Sequence, residues 1–241
     1  MKYFTPAWYN DTVVSEIYTQ LRKTQNAAEF SEKFYEKLRK IEQRAFLRYS
    51  KRIARFNREK LDVDAVLKQF DANYEENLAF IKVNLPEDIL TKVKDIRVLA
   101  LGSAEYDVAA QIERFCGEVS RRCRAIESSY DEQLQEVANV VGRTTVNLLD
   151  ALVGSSVASI KTEDDCITIV ASPENADVSY TVDLTGGAVL STRDNVMGAL
   201  IVQHELTIDG DKLAFGLLCL DESSNAFSVE FSAQSVSIKN I

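Results

Sequence analysis

Histidine is nearly absent from this sequence, since only His204 occurs among 241 residues. A zinc protease of the HExxH type needs two histidines, and a structural zinc site needs four Cys or His ligands. The four cysteines contain no CxxC pair and are typical of packed, reduced thiols. His204 lies in GALIVQHELTI, where alternation groups it with apolar residues, so we expect a satisfied core or edge residue. The sequence therefore predicts no metal, no cofactor and no catalytic residue.

Long apolar runs and glycine-rich loops are also missing. No segment approaches the ~20 apolar residues of a membrane span, and the start MKYFTPAWYNDTVV lacks the apolar core of a signal peptide. Neither the phosphate-binding pattern GxxxxGK[ST] nor the nucleophile pattern GxSxG occurs. We therefore expect a cytoplasmic protein that does not enter a membrane.

Positive charge is in deficit, and the deficit lies at one end of the chain. The net charge is −9. Residues 1–150 contain 24 basic and 24 acidic residues, whereas residues 151–241 contain 4 basic and 13 acidic residues. Domains that bind nucleic acid are usually basic overall, so a nucleic-acid partner is not expected.

Helical periodicity dominates the first 150 residues. Apolar residues recur there at steps of three and four, which indicates about five amphipathic helices. The predicted helices run from Thr5-Pro6 to about Lys23, from about Asn26 to Lys60, through LDVDAVLKQFDANYEENLAFIKVNL with a cap at Asp62 or Asp64, from Leu85-Pro86 to Gly102, and from Ser103 to about Val141.

The second of these helices carries two rows of residues. The first row is apolar and is expected to be buried; it contains Phe30, Phe34, Leu38, Ile41, Ala45, Tyr49, Ile53 and Phe56. The second row, which we name the basic stripe, contains Lys33, Lys37, Lys40, Arg44, Arg48, Lys51, Arg55 and Arg58. At ~1.5 Å per residue the basic stripe is about 38 Å long, and it lies about 100° from the apolar row.

The basic stripe allows three interpretations. It could be a solvated helix face whose long side chains cover neighbouring apolar surface. It could dock on acidic parts of this chain or on a protein partner, or it could bind nucleic acid or a membrane, because closely spaced cations focus an attractive field. The candidate partner- or anion-binding residues are Lys37, Lys40, Arg44, Arg48, Lys51, Arg55 and Arg58.

After Gly154 the apolar period becomes two, which indicates strands. Breaks such as PENAD, LTGG and IDGD separate six or seven strands and leave no room for crossover helices, so the sheet should be antiparallel. Asp209-Gly210 predicts a hairpin turn, and a change of parity predicts a bulge or bend near Ala233. We predict an α+β fold in which a helical region, residues 1–153, packs on an antiparallel sheet or small sandwich, residues 154–241. The two regions should form one cooperative unit.

Three stretches of the sequence are similar to a family of uncharacterised bacterial proteins catalogued as a domain of unknown function. They are the start MKYFTPAWY, the block LPEDILTKVKDIRVLALG and a β-rich tail entered through LLD at Leu148–Asp150. The tail segment GALIVQHELTI departs from the family pattern because it has no Trp. The resemblance implies the same architecture and a bacterial cytoplasmic setting, and it brings no activity with it.

These observations predict a non-catalytic cytosolic protein that binds a protein partner, in an immunity-like or accessory role. One alternative is a nucleic-acid or anion binder that uses the basic stripe. The other alternative is a hydrolase whose carboxylates meet between the helical and sheet regions.

Overall fold

The computed structural model describes residues 1–58, 60–173, 178–193 and 196–241. Helices fill most of the first 152 residues and an antiparallel sheet fills most of the remainder, which confirms the predicted α+β class. Within these residues, no helix is both long and apolar enough to span a membrane.

The described part of the chain contains seven α-helices. They are α1 (Pro6–Ser15), α2 (Glu32–Asn57), α3 (Val63–Asn84), α4 (Glu87–Leu90), α5 (Ile96–Ala100), α6 (Tyr106–Val141) and α7 (Arg143–Leu149). Three short 3-10 turns accompany them, at Ile17–Gln20, Gln25–Ala27 and Asp150–Leu152. The single helix predicted before Gly102 is divided into α4 and α5, and α7 follows Gly142, whose φ is +87°.

Side-chain caps explain where three of the helices begin. Ser31 Oγ accepts the N–H of Phe34 at 3.3 Å at the start of α2. Asp62 Oδ1 accepts the N–H groups of residues 64 and 65 at 3.0 and 3.1 Å, which confirms one of the two predicted caps of α3. Helix α6 begins at Tyr106 and not at the predicted Ser103, and Glu105 caps it, because the Glu105 Oε2 accepts the N–H of Asp107 at 3.0 Å.

Helix α1 ends at Ser15, well before the predicted end at Lys23. A 3-10 turn at Ile17–Gln20 follows it. Arg22–Lys23 instead forms a short strand, β1, that pairs in parallel with β2 (Ser103–Ala104).

The described residues fall into two compact units, one of Val14–Val119 and one that combines Met1–Val13 with Ser120–Ile241. The change from helices to strands occurs between Leu152 and Ser155, close to the predicted position. Unfolding of the whole chain as one cooperative unit stays a prediction.

Arg97 connects three segments within the unit Val14–Val119. Its guanidinium donates to Asp95 Oδ2 and to Glu32 Oε2, each at 2.8 Å, and lies 4.2 Å from the centre of the Tyr35 ring. Asp95 also caps α5 by accepting the N–H of Arg97 at 3.0 Å. The charged residues of the DIRVLALG block therefore have a structural role, and its apolar residues Val98 and Leu99 are buried.

Eight strands form one antiparallel sheet in the unit that contains Ser120–Ile241, as far as the structure describes it. They are β3 (Ser155–Glu163), β4 (Cys166–Pro173), β5 (Tyr180–Thr185), β6 (Ala188–Ser191), β7 (Leu200–Asp209), β8 (Lys212–Leu220), β9 (Ala226–Ala233) and β10 (Ser235–Asn240). Their spatial order is β10-β5-β4-β3-β7-β8-β9-β6. The strand count therefore exceeds the predicted six or seven.

The sheet must curl, because Gln234 alone joins β9 to β10 and these two strands lie far apart in the strand order. Strand β9 pairs with β8, and β10, which follows after this one residue, pairs with β5 in the other half of the sheet. The Gln234 N–H donates to the Thr185 carbonyl at 2.9 Å. The bend at Gln234 lies next to the predicted position, Ala233, and allows one stretch of chain to serve both halves of the sheet.

The core of this unit lies on the inner face of the curled sheet. Phe215 and Phe231 stack across β8 and β9 with ring centres 6.2 Å apart, and Ile169 and Val182 add fully buried side chains from the other half. Leu149, at the end of α7, is also fully buried in this core.

The N-terminal residues are held against the same sheet by two glutamates. Glu205 is 4% exposed and accepts the N–H groups of residues 2, 3 and 4 at 2.7, 2.8 and 3.1 Å. The α-amino group of Met1 forms an ion pair with Glu230. Gly216 is the cross-strand partner of both glutamates, and a Cβ placed on it would lie 2.5 Å from the Met1 Cγ.

Candidate partner-binding surface

All eight residues of the basic stripe are exposed on α2 or at its C-cap. None of them forms an ion pair with a residue that the structure describes. Other cations of the same unit are paired, since Arg39 contacts Asp71 at 2.9 Å and Arg22 contacts Glu42 at 2.6 Å. These cations are therefore not neutralised by described residues of this chain, and binding of an anion or a partner to them stays a prediction.

The prediction that the whole apolar row of α2 is buried was wrong. Leu38 is buried, and Phe34 and Ala45 are partly buried. Tyr49 is 53% exposed and Phe56 is 88% exposed. The other exposed members of the row are Phe30, Ile41 and Ile53.

The length of α2 explains the exposure of Tyr49, Ile53 and Phe56. A helix of 26 residues is about 39 Å long, and the core of the unit contacts mainly its N-terminal half. Beyond that half, α3 packs on a different side of α2, where Phe46 lies 5.8 Å from Phe70 and Ala54 is buried. The side of α2 that carries Tyr49, Ile53 and Phe56 is therefore left to solvent, and we name these three residues the α2 seam.

The α2 seam and the basic stripe are neighbours on one helix. Arg52 follows Tyr49 by three residues and precedes Phe56 by four, so it lies beside the seam, and its guanidinium is 5.3 Å from the centre of the Tyr49 ring. Arg48 and Arg55 precede Tyr49 and Phe56 in the sequence. A binding partner could therefore bury apolar area and neutralise cations at the same time.

Arg52 is also the signal in the sequence that the prediction overlooked. A buried helical row is not expected to have an unpaired arginine directly beside it, because burial of an unpaired charge is costly. Arg52 lies next to the apolar row and has no acidic residue three or four positions away, at 48, 49, 55 or 56. Its presence indicates that this part of the row faces solvent.

His204 is a satisfied core residue, as predicted. It is 2% exposed, its Nε2 lies 3.2 Å from Asp150 Oδ1, and its Nδ1 lies 3.4 Å from the Tyr130 hydroxyl. That hydroxyl accepts the N–H of Leu206 at 3.0 Å. Burial lowers the pKa of His204 although Asp150 opposes this, and burial also raises the pKa of Tyr130. Among the described residues, the His204 ring contacts no hydroxyl or thiol group whose pKa is lowered.

Two carboxylates are buried among the residues that the structure describes, and both are occupied by hydrogen-bond donors. Asp95 binds the guanidinium and the N–H of Arg97, and Glu205 binds three N–H groups near the N-terminus. They therefore do not supply the acid–base pair that the hydrolase alternative needs. Within the described ranges, no cluster of three or more His, Cys, Asp and Glu side chains could hold a metal ion.

A cleft of about 480 Å³ opens in the unit Val14–Val119. Its wall is aromatic and is formed by Phe46, Phe70 and Tyr74. The polar groups at its rim are already bonded to one another, since Arg22 donates to Glu42 and Asn77 donates to the Ala100 carbonyl at 2.6 Å. The cleft thus offers few unsatisfied polar groups to a ligand.

The chain matches no family model, no curated protein and no solved structure. The site is therefore defined by its own geometry. Its distinguishing features are the basic stripe and the α2 seam.

Proposed function

We propose that this chain is a non-catalytic protein that binds an acidic protein partner through the basic stripe and the α2 seam. The observation that carries the proposal is the combination, on α2 and its C-cap, of eight exposed cations that are unpaired among the described residues with the three exposed apolar side chains of the α2 seam. A cytoplasmic location and an immunity-like or accessory role belong to the same proposal. So does membership of the bacterial family that the DIRVLALG block resembles.

The chemistry of the α2 seam favours a protein over a nucleic acid. Nucleic acids are bound mainly through their phosphates, which would use the cations and leave Ile53 and Phe56 without apolar contacts. Protein interfaces are enriched in aromatic residues and arginine, and such residues dominate their binding energy. The unit Val14–Val119 contains 19 basic and 18 acidic residues, so it lacks the overall positive charge of nucleic-acid-binding domains.

The basic stripe and the α2 seam would contribute to different stages of binding. Exposed cations mainly accelerate encounter with an acidic partner and make the association rate depend on salt. Burial of Tyr49 and Phe56 would slow dissociation, because aromatic residues at the centre of an interface each contribute on the order of 2 kcal/mol or more to the binding free energy.

Site-specific photo-cross-linking in cells tests the proposal. A photoreactive phenylalanine analogue replaces Phe56 in the α2 seam, and in a control chain it replaces Val83, which is 81% exposed in the last turn of α3. We expect one discrete protein adduct from position 56 and none from position 83. The adduct from position 56 should come from a protein with an acidic surface.

Two charge variants make the test specific. The stripe variant changes Arg44, Arg48, Lys51 and Arg55 to Glu, and the adduct should disappear. The control variant changes Lys68, Lys82, Lys94 and Arg114 to Glu, which alters the net charge equally at exposed positions of the same unit that lie outside α2, and the adduct should persist. Failure to form an adduct from position 56, or equal loss in both variants, would overturn the proposal.

A further inference from the structure

The geometry of α2 points to a narrower class of partner. Building on the proposed function, we infer that the partner segment is an acidic amphipathic helix that lies along the α2 seam with its carboxylates over the basic stripe.

The spacing of the α2 seam favours a helical occupant. Tyr49, Ile53 and Phe56 are separated by four and three residues, which is the spacing of d, a and d positions in a heptad. A second helix packs against such a row with apolar residues of the same spacing, and the two helix axes are then about 8–10 Å apart. An extended strand repeats every two residues and would match neither interval.

The charges beside the α2 seam favour a one-sided acidic partner. Arg48, Arg52 and Arg55 lie on one flank of the seam. The opposite flank carries uncharged residues, Phe46 and Ser50, and Phe46 packs on α3. A docked helix would therefore need carboxylates on the flank that faces the arginines, where they would be partly desolvated and thus stronger partners than in water.

The lengths of the two features define the size of the segment. The α2 seam covers about two helical turns, roughly 10 Å, whereas the basic stripe from Lys37 to Arg58 extends for about 32 Å. An acidic helix of about three heptads would match the stripe, with its apolar residues confined to the part over the seam.

Synthetic peptides about three heptads long provide the probes. The first has Leu at a and d positions and Glu on the flanks. The second contains the same residues in a scrambled order without heptad spacing, and the third has Lys in place of Glu. Binding of each labelled peptide to the full chain is measured by fluorescence anisotropy, beside a short DNA duplex and phosphatidylserine vesicles.

We expect the first peptide to bind at least tenfold more tightly than the scramble, a difference of about 1.4 kcal/mol, and the third peptide not to bind. Tyr49→Ser with Phe56→Ser should weaken the first peptide tenfold or more, and Val83→Ser should not change its affinity. The affected side chains are exposed, and thermal unfolding of each variant confirms that it is folded.

Each of three binding results would overturn the inference. They are equal binding of the first peptide and the scramble, tighter binding of DNA or vesicles than of the first peptide, and an unchanged affinity after the double serine replacement. Mass spectrometry of the adduct from position 56 separates this inference from the proposed function. A cross-linked segment that is neither helical nor acidic would refute the helical partner while a protein partner remains established.

Discussion

Replacement of Glu205 by Gln tests whether one buried carboxylate holds the N-terminal residues on the sheet. Glu205 Oε1 accepts the N–H of Lys2, and Oε2 accepts the N–H groups of Tyr3 and Phe4. Glutamine has the same shape but only one acceptor oxygen, and its NH₂ group would face at least one backbone N–H.

The expected cost follows from these contacts. A hydrogen bond to a charged group contributes about 1.5–3 kcal/mol, and a buried donor left without an acceptor costs about 1–3 kcal/mol. With the amide oxygen facing Tyr3 and Phe4, the variant loses the bond from Lys2 and weakens two others. We therefore expect Glu205→Gln to lower the free energy of unfolding by about 3 kcal/mol, which corresponds to roughly 6–12 °C in Tm for a chain of this size.

Urea and thermal unfolding, followed by circular dichroism, measure this loss. Glu222→Gln is the matched control, because Glu222 is exposed and forms no hydrogen bond or ion pair with a described residue. The control should change the free energy of unfolding by less than about 0.5 kcal/mol. Amide hydrogen exchange at residues 2–4 should accelerate only in Glu205→Gln. Equal stability of the two variants, with unchanged exchange at residues 2–4, would refute the reasoning.

Three further predictions concern other parts of the molecule. Gly216→Ala should lower the free energy of unfolding by about 1–3 kcal/mol, because its methyl group would displace Met1. The additional loss should be smaller in a chain that already carries Glu205→Gln, because both changes release the same segment; urea unfolding of the double variant measures it. Because its pKa is lowered in the native state, His204 stays neutral there to a lower pH than in the unfolded chain. The free energy of unfolding should therefore fall as the pH drops below about 6.5, by at most ~1.4 kcal/mol per pH unit. His204→Gln should remove this pH dependence in urea titrations between pH 7 and 5. The stripe variant should unfold within about 1 kcal/mol of the unmodified chain, since the changed residues are exposed and unpaired among the described residues; a larger loss would indicate that the stripe has a structural role.

Local periodicity was sufficient for the class of fold and for several boundaries. The cap at Asp62, the hairpin at Asp209-Gly210 and the bend next to Ala233 each depend on residues close together in the sequence. The end of α1 at Ser15 was not predicted, because residues 16–23 contain no Gly or Pro that would indicate a helix stop.

Long-range contacts could not be predicted in the same way. The bonds from residues 2–4 to Glu205 join positions about 200 residues apart, and no spacing rule connects them. The exposure of Tyr49 and Phe56 also depends on where α3 lies, which the apolar row of α2 does not indicate. The basic stripe was found because its pattern is complete within one helix.

The bend at Gln234 sets the order of events when the chain is synthesised. Strands β3, β4 and β5 can pair as they emerge, and so can β7 with β8, because their partners are adjacent in the chain. The curled sheet is complete only when residues 226–240 have been made, since this stretch pairs with both β8 and β5. The first residues of the chain also depend on strands made late, because Glu205 belongs to β7 and Glu230 to β9. Until these residues are available for pairing the growing chain exposes apolar strand faces, so aggregation and chaperone binding should persist until β10 has emerged from the ribosome.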